Sequence, residues 1–275
     1  MKKLFILLFT IITLGSAGQQ LEVMSFNIRY NNINDGEDQW NNRKEAVADL
    51  IEYYNPAVLG VQEALYGQMQ FLDSALKQYS YIGVGRDDGQ KAGEFSAILY
   101  DTTKVGMIDS GTFWLSDTPD EVSKGWDAAL PRICTYGLFR EKSSEKVFWT
   151  FNTHFDHVGE IARVRSAALI VNRIGKMNIA EAPVLLIGDL NSAPDSGPIT
   201  LLDNNLIDSR NSCEVTYGPE GTFFGFELDA EALNRIDYVF GKNLTFDSYR
   251  VIDDRLSNNR HISDHLPVFV KFTFN

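Results

Sequence analysis

The chain has 275 residues, 44% hydrophobic and 23% charged, which excludes a disordered polypeptide and allows one large domain or two small ones. Lys and Arg number 25 against 37 Asp and Glu, and the resulting net charge of −12 excludes binding a long polyanion by general charge attraction. Two cysteines exclude a disulfide scaffold or a cysteine zinc cluster, so phosphate could be held only by a local basic or metal-filled pocket.

Met1-Lys2-Lys3 is followed by an apolar run from Leu4 to Leu14 and by Gly15-Ser16-Ala17. Basic, apolar, small is the order of a secretory signal peptide. The run of 11 residues is too short for a bilayer span, which needs about 20. The expectation is a leader over 1–17, a mature domain over 18–275, and a secreted or periplasmic protein without a transmembrane span. Cleavage after Ala17 removes Lys2 and Lys3 and takes the net charge from −12 to −14. Export would permit a Cys134–Cys213 disulfide. The apolar stretch around Cys134 argues instead for a buried thiol.

Beyond the leader, strands and helices alternate. Gln20 to Ile28 reads as a strand, and Arg43 to Tyr54 as a helix with Ala46, Val47, Leu50, Ile51 and Tyr54 on one face. Ala57–Val61 is a short apolar strand and Gly67–Gln78 a second helix. Strands follow at Tyr81–Val84, Ser96–Tyr100, Lys104–Trp114, Ile133–Arg140 and Lys146–Asn152. Glu160–Met177 is the longest helix, with Ile161, Val164, Ala168, Val171 and Ile174 as its expected buried stripe. Val184–Ile187 is apolar enough to be buried on both faces. Strands recur at Arg235–Phe240, Thr245–Ile252 and Leu266–Phe274. Two rounds of strand–helix–strand, each leading into a run of strands, predict two sheets packed face to face with helices outside. No linker divides the chain, so a single domain is expected.

The chemistry falls at strand ends. Five segments join an apolar strand to polar, metal-capable residues: Met24–Asn27, Val58–Glu63, Phe148–His157, Val184–Asn191 and Ser263–Val268. A carboxylate or amide just past a buried strand stands at the rim of a rigid sheet, where sites are built. All four histidines, at 154, 157, 261 and 265, lie in or beside these segments. Oxygen donors such as Asn27, Glu63 and Asp264 suit Mg²⁺, Mn²⁺ or Ca²⁺. Taken singly, each has a plainer reading: Asn27 as a turn residue, Glu63 as a helix-start charge, Gly188–Asn191 as a turn, and His154 as a core histidine. Five such coincidences in one chain favour a site.

These motifs carry a resemblance: Asn27 in SFN, Gln62-Glu63, Thr153-His154-Phe155, Gly188-Asp189-Leu190-Asn191, Arg235-Ile236-Asp237-Tyr238 and Ser263-Asp264-His265-Leu266-Pro267-Val268. Together they resemble the endonuclease/exonuclease/phosphatase superfamily of DNase I-like nucleases, apurinic endonucleases, sphingomyelinases, inositol polyphosphate phosphatases and deadenylases. The likeness spans about residues 20–274, and Gly111–Tyr136 looks like a bacterial branch near the deadenylases. It implies an α+β fold, a four-layer αββα sandwich of two mixed sheets with helices outside.

The resemblance also implies roles. Glu63, helped by Asn27 and Asp264, would hold Mg²⁺ or Mn²⁺. Asp189 would orient and deprotonate the attacking water, and Asn191 would hold that water or a phosphate oxygen. His154 would donate to the non-bridging oxygens, and His265, held by Asp237, would serve the phosphate from the other side. Such chemistry needs charge neutralised on the equatorial oxygens and a water in line. Arg132 suits phosphate binding and a salt bridge alike. His157, three residues after His154, is expected to point elsewhere, and His261 to lie in a loop near the rim. Trp40, Phe113, Trp114, Trp126 and Phe223–Phe226 are candidates for a pocket lining, with core packing as the alternative.

The expected activity is metal-dependent hydrolysis of a small or lipid-linked phosphodiester or phosphomonoester by a monomeric enzyme. A nuclease, including an exoribonuclease of the deadenylase type, is the enzymatic alternative. It lacks a Lys/Arg run for a nucleic-acid track. A non-catalytic binding protein is the third reading.

Overall fold

Period-two patterning builds the centre of the molecule. In the strand Val268–Phe274, residues Val268, Val270, Phe272 and Phe274 face one apolar cluster, and Phe269 faces another. The same alternation runs through every central strand and creates two sheets, each with an inner and an outer face. The computed structural model describes residues 20–227 and 229–275; the expected leader and its cleavage site lie outside the described residues.

The strands, in chain order, are β1 (Leu21–Asn27), β2 (Val58–Ala64), β3 (Tyr79–Ile82), β4 (Phe95–Asp101), β5 (Val105–Trp114), β6 (Ile133–Glu141), β7 (Val147–His154), β8 (Val184–Asp189), β9 (Ile207–Asp208), β10 (Val215–Tyr217), β11 (Asp237–Lys242), β12 (Leu244–Val251) and β13 (Val268–Phe274). One seven-stranded sheet runs β10-β12-β13-β1-β2-β4-β3, and a six-stranded sheet runs β5-β6-β7-β8-β11-β9. Both are mixed: β1 and β2 are parallel, as are β7 and β8, while β13 and β11 run antiparallel beside them. The main helices are α1 (Trp40–Tyr54), α2 (Tyr66–Ala75) and α3 (Glu160–Met177), followed by the short α4 (Gly197–Asp203) and α5 (Ser209–Ser212).

Three apolar clusters define four layers. Val23, Val58, Ile98, Phe148, Ile187, Val239 and Phe272 fill the space between the sheets. Val47 and Ile51 of α1 and Met69 and Leu72 of α2 cover the outer face of the seven-stranded sheet. Ala167, Ile170 and Ile174 of α3 cover Trp149, Phe151 and Leu186 on the six-stranded sheet. The result is an αββα sandwich.

One polar bridge crosses the inner core. Asn152 donates from Nδ2 to the carbonyls of Val61 (3.0 Å) and Ala97 (2.7 Å), and its Oδ1 accepts from Gln62 Nε2 at 2.7 Å. Gly60 makes the crossing possible, because a Cβ there would lie 2.6 Å from the Asn152 side chain. This network ties β7 to β2 and β4 directly beneath the strand ends.

The structure corrects the expected stripe of α3. Ile161 and Val164 are 58% and 39% exposed, whereas Ala162, Ser166, Ala167, Ile170 and Ile174 are buried. The buried positions 162, 166, 167, 170 and 174 follow the three- and four-residue spacing of one helix face, and the small Ala167 on it lets the helix lie close to the rings of Trp149 and Phe151. Trp40, Phe113, Trp114 and Phe224 are core residues. His261 lies in the loop between β12 and β13, where it is 5% exposed and packs against the Phe224 ring at 4.2 Å. Cys134 and Cys213 are both free, and Cys134 is buried. No helix among the described residues is long and apolar enough to cross a membrane.

Candidate active site

The alternation that packs the inner core also aims the site. Leu21, Val23 and Ser25 alternate toward the inner face of β1, so Asn27, at its end, points between the sheets. Leu185 and Ile187 place Asp189 on the inner face of β8 in the same way, Val239 places Asp237, and Phe148 with Asn152 places His154. Register then lines them up: His154 is opposite Asp189 on one side, and Asp237 is opposite Asp189 on the other. In the seven-stranded sheet, Asn27 on β1 is in register with Gln62 on β2, next to Glu63.

Backbone strain sharpens the placement. Glu63 (φ 61°), Asn191 (φ 45°) and Arg29 (φ 56°) all take left-handed conformations that side chains disfavour. Gly188, at φ 150°, permits contact of β8 with β7, because a Cβ there would lie 2.0 Å from the Thr153 carbonyl oxygen. Asp189 therefore follows a position that only glycine fills.

The groups converge on one cavity of about 460 Å³, lined among others by Glu63, His154, Asp189, Asn191, Asp264 and His265. Asn27 links two of the acids, donating from Nδ2 to Glu63 Oε1 (3.1 Å) and to Asp189 Oδ2 (3.0 Å). Its Oδ1 accepts from the Arg29 backbone N–H at 3.0 Å. Asp189 Oδ1 accepts from the Asn191 N–H at 2.9 Å. Asp237 Oδ2 lies 2.9 Å from His265 Nδ1 and accepts from Thr222 Oγ1 at 2.6 Å. His265 Nε2 lies 3.7 Å from Asp189 Oδ2.

Charge follows from these contacts. Burial would lower the His265 pKa, but Asp237 and Asp189 outweigh it and hold the ring well above its ordinary value, as an imidazolium. Burial first, then the Asp237 charge, pushes the Asp189 carboxyl up to about 7. His154 goes the other way: burial, then Arg132 and Arg86, keep it neutral. Asn191 Nδ2 donates to the Phe155 carbonyl (3.0 Å) and to His154 Nε2 (3.1 Å), so the His154 proton sits on Nδ1. The expected donor role of His154 thus meets a ring whose Nε2, 3.4 Å from Asp189, is an acceptor in the resting site.

Among the described His, Cys, Asp and Glu side chains, Glu63, Asp189 and His265 place ligand atoms all within 4.8 Å of one another. Carboxylate oxygens of this kind fit a hard divalent cation, and the Glu63 carboxylate, partly exposed to the cavity, is the accessible one. An imidazolium cannot ligate without losing its proton, so the oxygen donors are the better match. Asp264 stands slightly apart: its carboxylate accepts from Ser263 Oγ at 3.2 Å and lies 3.8 Å from Arg29 Nε.

Three charged residues of the site escape sequence reasoning. Arg29 is clamped by Asp35 through two 3.0 Å bonds and lies 3.9 Å from Glu63. Glu94, on the cavity wall beside His154, is held by Arg86 behind it through bonds of 2.6 and 2.9 Å. Arg29 stands two residues after Asn27 and could have been found there. Arg86 and Glu94 lie between β3 and β4, where no motif marks them. His157 does not point away; it lines the same cavity as His154, as do Arg132 and Phe223.

The chain belongs to the Endonuclease/Exonuclease/phosphatase family, whose sequence model matches residues 24–265. An uncharacterized protein of Acanthamoeba polyphaga mimivirus is 30% identical over 249 residues, covering 85% of this chain and 92% of that one. Among solved structures, a family protein of Bacteroides thetaiotaomicron superposes with a TM-score of 0.90 at 37% identity, covering 94% of this chain and 99% of that chain. A mannosyl-6-phosphatase from Bacteroides thetaiotaomicron VPI-5482 superposes with a TM-score of 0.89 at 38% identity, covering 92% of this chain and all of that one.

Proposed function

We propose that the protein is a metal-dependent hydrolase of small phosphate esters. One observation carries this reading: an acidic corner fit for a divalent cation and a set of N–H donors meet in one cavity of about 460 Å³. That volume suits a small ligand. The similarity to a mannosyl-6-phosphatase across 92% of the chain supports a sugar phosphate as one substrate.

Glu63, with Asn27 and Asp264 around it, would hold Mg²⁺ or Mn²⁺, which supplies positive charge to the phosphoryl oxygens. The protein's own groups carry the rest. Asp189, buried and pushed up to about 7, is tuned to take a proton from water near neutral pH. That water attacks phosphorus, the bond to the alcohol oxygen breaks with its electron pair going to that oxygen, and the departing alkoxide takes a proton from solvent water. The His265 imidazolium, fixed by Asp237, presents Nε2–H to the charge that develops on the phosphoryl oxygens. His154 orients Asn191.

The test is hydrolysis by the mature protein, with Mg²⁺, of p-nitrophenyl phosphate, bis-p-nitrophenyl phosphate, mannose 6-phosphate, phosphoinositides, sphingomyelin, single-stranded RNA and DNA. At least one small ester is expected to turn over faster than either polymer. Cleavage of RNA or DNA alone would contradict the proposal.

A further inference from the structure

The cavity carries acids and cations on adjoining walls. Glu63, Asp189 and Asp264 stand together, with Arg29 3.9 Å from Glu63 and 3.8 Å from Asp264. Beside His154, whose Nε2 lies 3.4 Å from Asp189, β6 begins and Arg132 and His157 stand. Arg132 is 4% exposed, and its guanidinium is only partly satisfied. Nε donates to Asp156 Oδ2 at 3.3 Å, Nη2 donates to His157 Nδ1 at 3.0 Å, and Nη1 is buried without a partner. A buried, unpaired N–H of a guanidinium is costly unless a ligand meets it.

The bond to His157 has a consequence. A guanidinium only donates, so His157 Nδ1 accepts, and the ring proton is left on Nε2. His157 is exposed at the mouth of the cavity, so this second donor is accessible. Asp156 is already occupied: its oxygens accept from the backbone N–H groups of Ala129, Leu130, Val158 and Gly159. Glu94 also reaches the cavity, with both oxygens bonded to Arg86. What this wall offers a ligand is therefore N–H donors.

We propose that Arg132 and His157 form a second anion-binding corner, which makes the site selective for phosphomonoesters over phosphodiesters. The inference rests on the phosphoester reading above and names its substrate class. A phosphate monoester carries about −1.5 to −2 charge at pH 7 and three free acceptor oxygens. A diester carries about one negative charge, with two of its oxygens capped by carbon. The metal-binding wall and His265 serve the oxygens common to both esters. The Arg132–His157 corner rewards the extra anionic oxygen of the monoester, because charge-assisted bonds are the strong ones.

The test compares wild type, Arg132→Met and His157→Ala, each loaded with Mg²⁺. Calorimetry measures binding of inorganic phosphate and of dimethyl phosphate, and kinetics measures kcat/KM for p-nitrophenyl phosphate and bis-p-nitrophenyl phosphate. Arg132→Met should weaken phosphate binding and monoester turnover about 10- to 100-fold, the span of one charge-assisted bond, and change the diester values less than about threefold. His157→Ala should act in the same direction, by about three- to tenfold. Should Arg132→Met fail to fold, as a thermal melt would show, the exposed His157 decides. Unchanged phosphate binding in His157→Ala, or equal losses for both ester classes, overturns the corner. A wild type that hydrolyses neither ester defeats the hydrolase reading instead, and phosphate binding still tests the corner.

Discussion

His265→Ala is expected to lower kcat by about 10²- to 10³-fold, with metal affinity nearly unchanged. His265 is the cation of the site: Asp237 holds its Nδ1 at 2.9 Å, and its Nε2 faces Asp189 at 3.7 Å. Its ring packs 4.8 Å from that of Phe223, so it cannot swing away. Alanine removes the donor that acts on developing negative charge. It also leaves Asp189 beside Asp237 with no positive charge between them. Added metal does not replace a donor of fixed direction, so the rate should stay low at any Mg²⁺ concentration. The measurement is a Mg²⁺ titration of turnover on the best small ester. Recovery of the wild-type rate at high metal would mean that His265 acts through the metal.

Glu63→Gln should show the opposite pattern. The substitution keeps size and shape, and Gln tolerates the left-handed backbone at this position about as well as Glu does. Its Oε1 can still accept from Asn27 Nδ2. What is lost is the charge of the accessible carboxylate. Metal affinity should fall at least about tenfold, and excess Mg²⁺ or Mn²⁺ should restore much of the rate by mass action. The melting temperature of Glu63→Gln should fall by no more than a few degrees, since the bond lost is the one that Oε2 accepts from the Tyr30 N–H at 3.2 Å, outside the apolar core. Calorimetric metal binding reads the effect independently of turnover. Metal rescue of His265→Ala but not of Glu63→Gln would mean that the two roles are exchanged.

The parts of the site that were legible share one physical origin. Asn27, Glu63, His154, Asp189, Asp237 and Asp264 sit where apolar strands stop or start, and a polar residue there has few uses other than a turn or a site. Period-two alternation even dictates their common side, as with Asn27 after Val23 and Ser25. The two-sheet sandwich was readable for the same reason, since each central strand is a buried apolar run. Charge pairs across loops were not legible. Arg86 and Glu94 meet only because the hairpin between them folds back, and nothing in their local sequence separates them from a solvated charge run. Arg29 is bent into the site by a left-handed backbone and the Asp35 clamp, which are tertiary features. His157 was misjudged on strand logic. The strand ends at His154, and the turn held by Asp156 brings His157 back to the cavity. The short elements between Gly197 and Tyr217 carry too few residues for any period to show.

The most direct test of the metal-dependent mechanism is the initial rate of p-nitrophenyl phosphate hydrolysis by chelator-treated protein, before and after Mg²⁺ is restored. The account predicts no measurable turnover without metal and a saturable return of activity with Mg²⁺, absent or right-shifted in Glu63→Gln. A full rate in the presence of chelator, or the same Mg²⁺ dependence in wild type and Glu63→Gln, would contradict it.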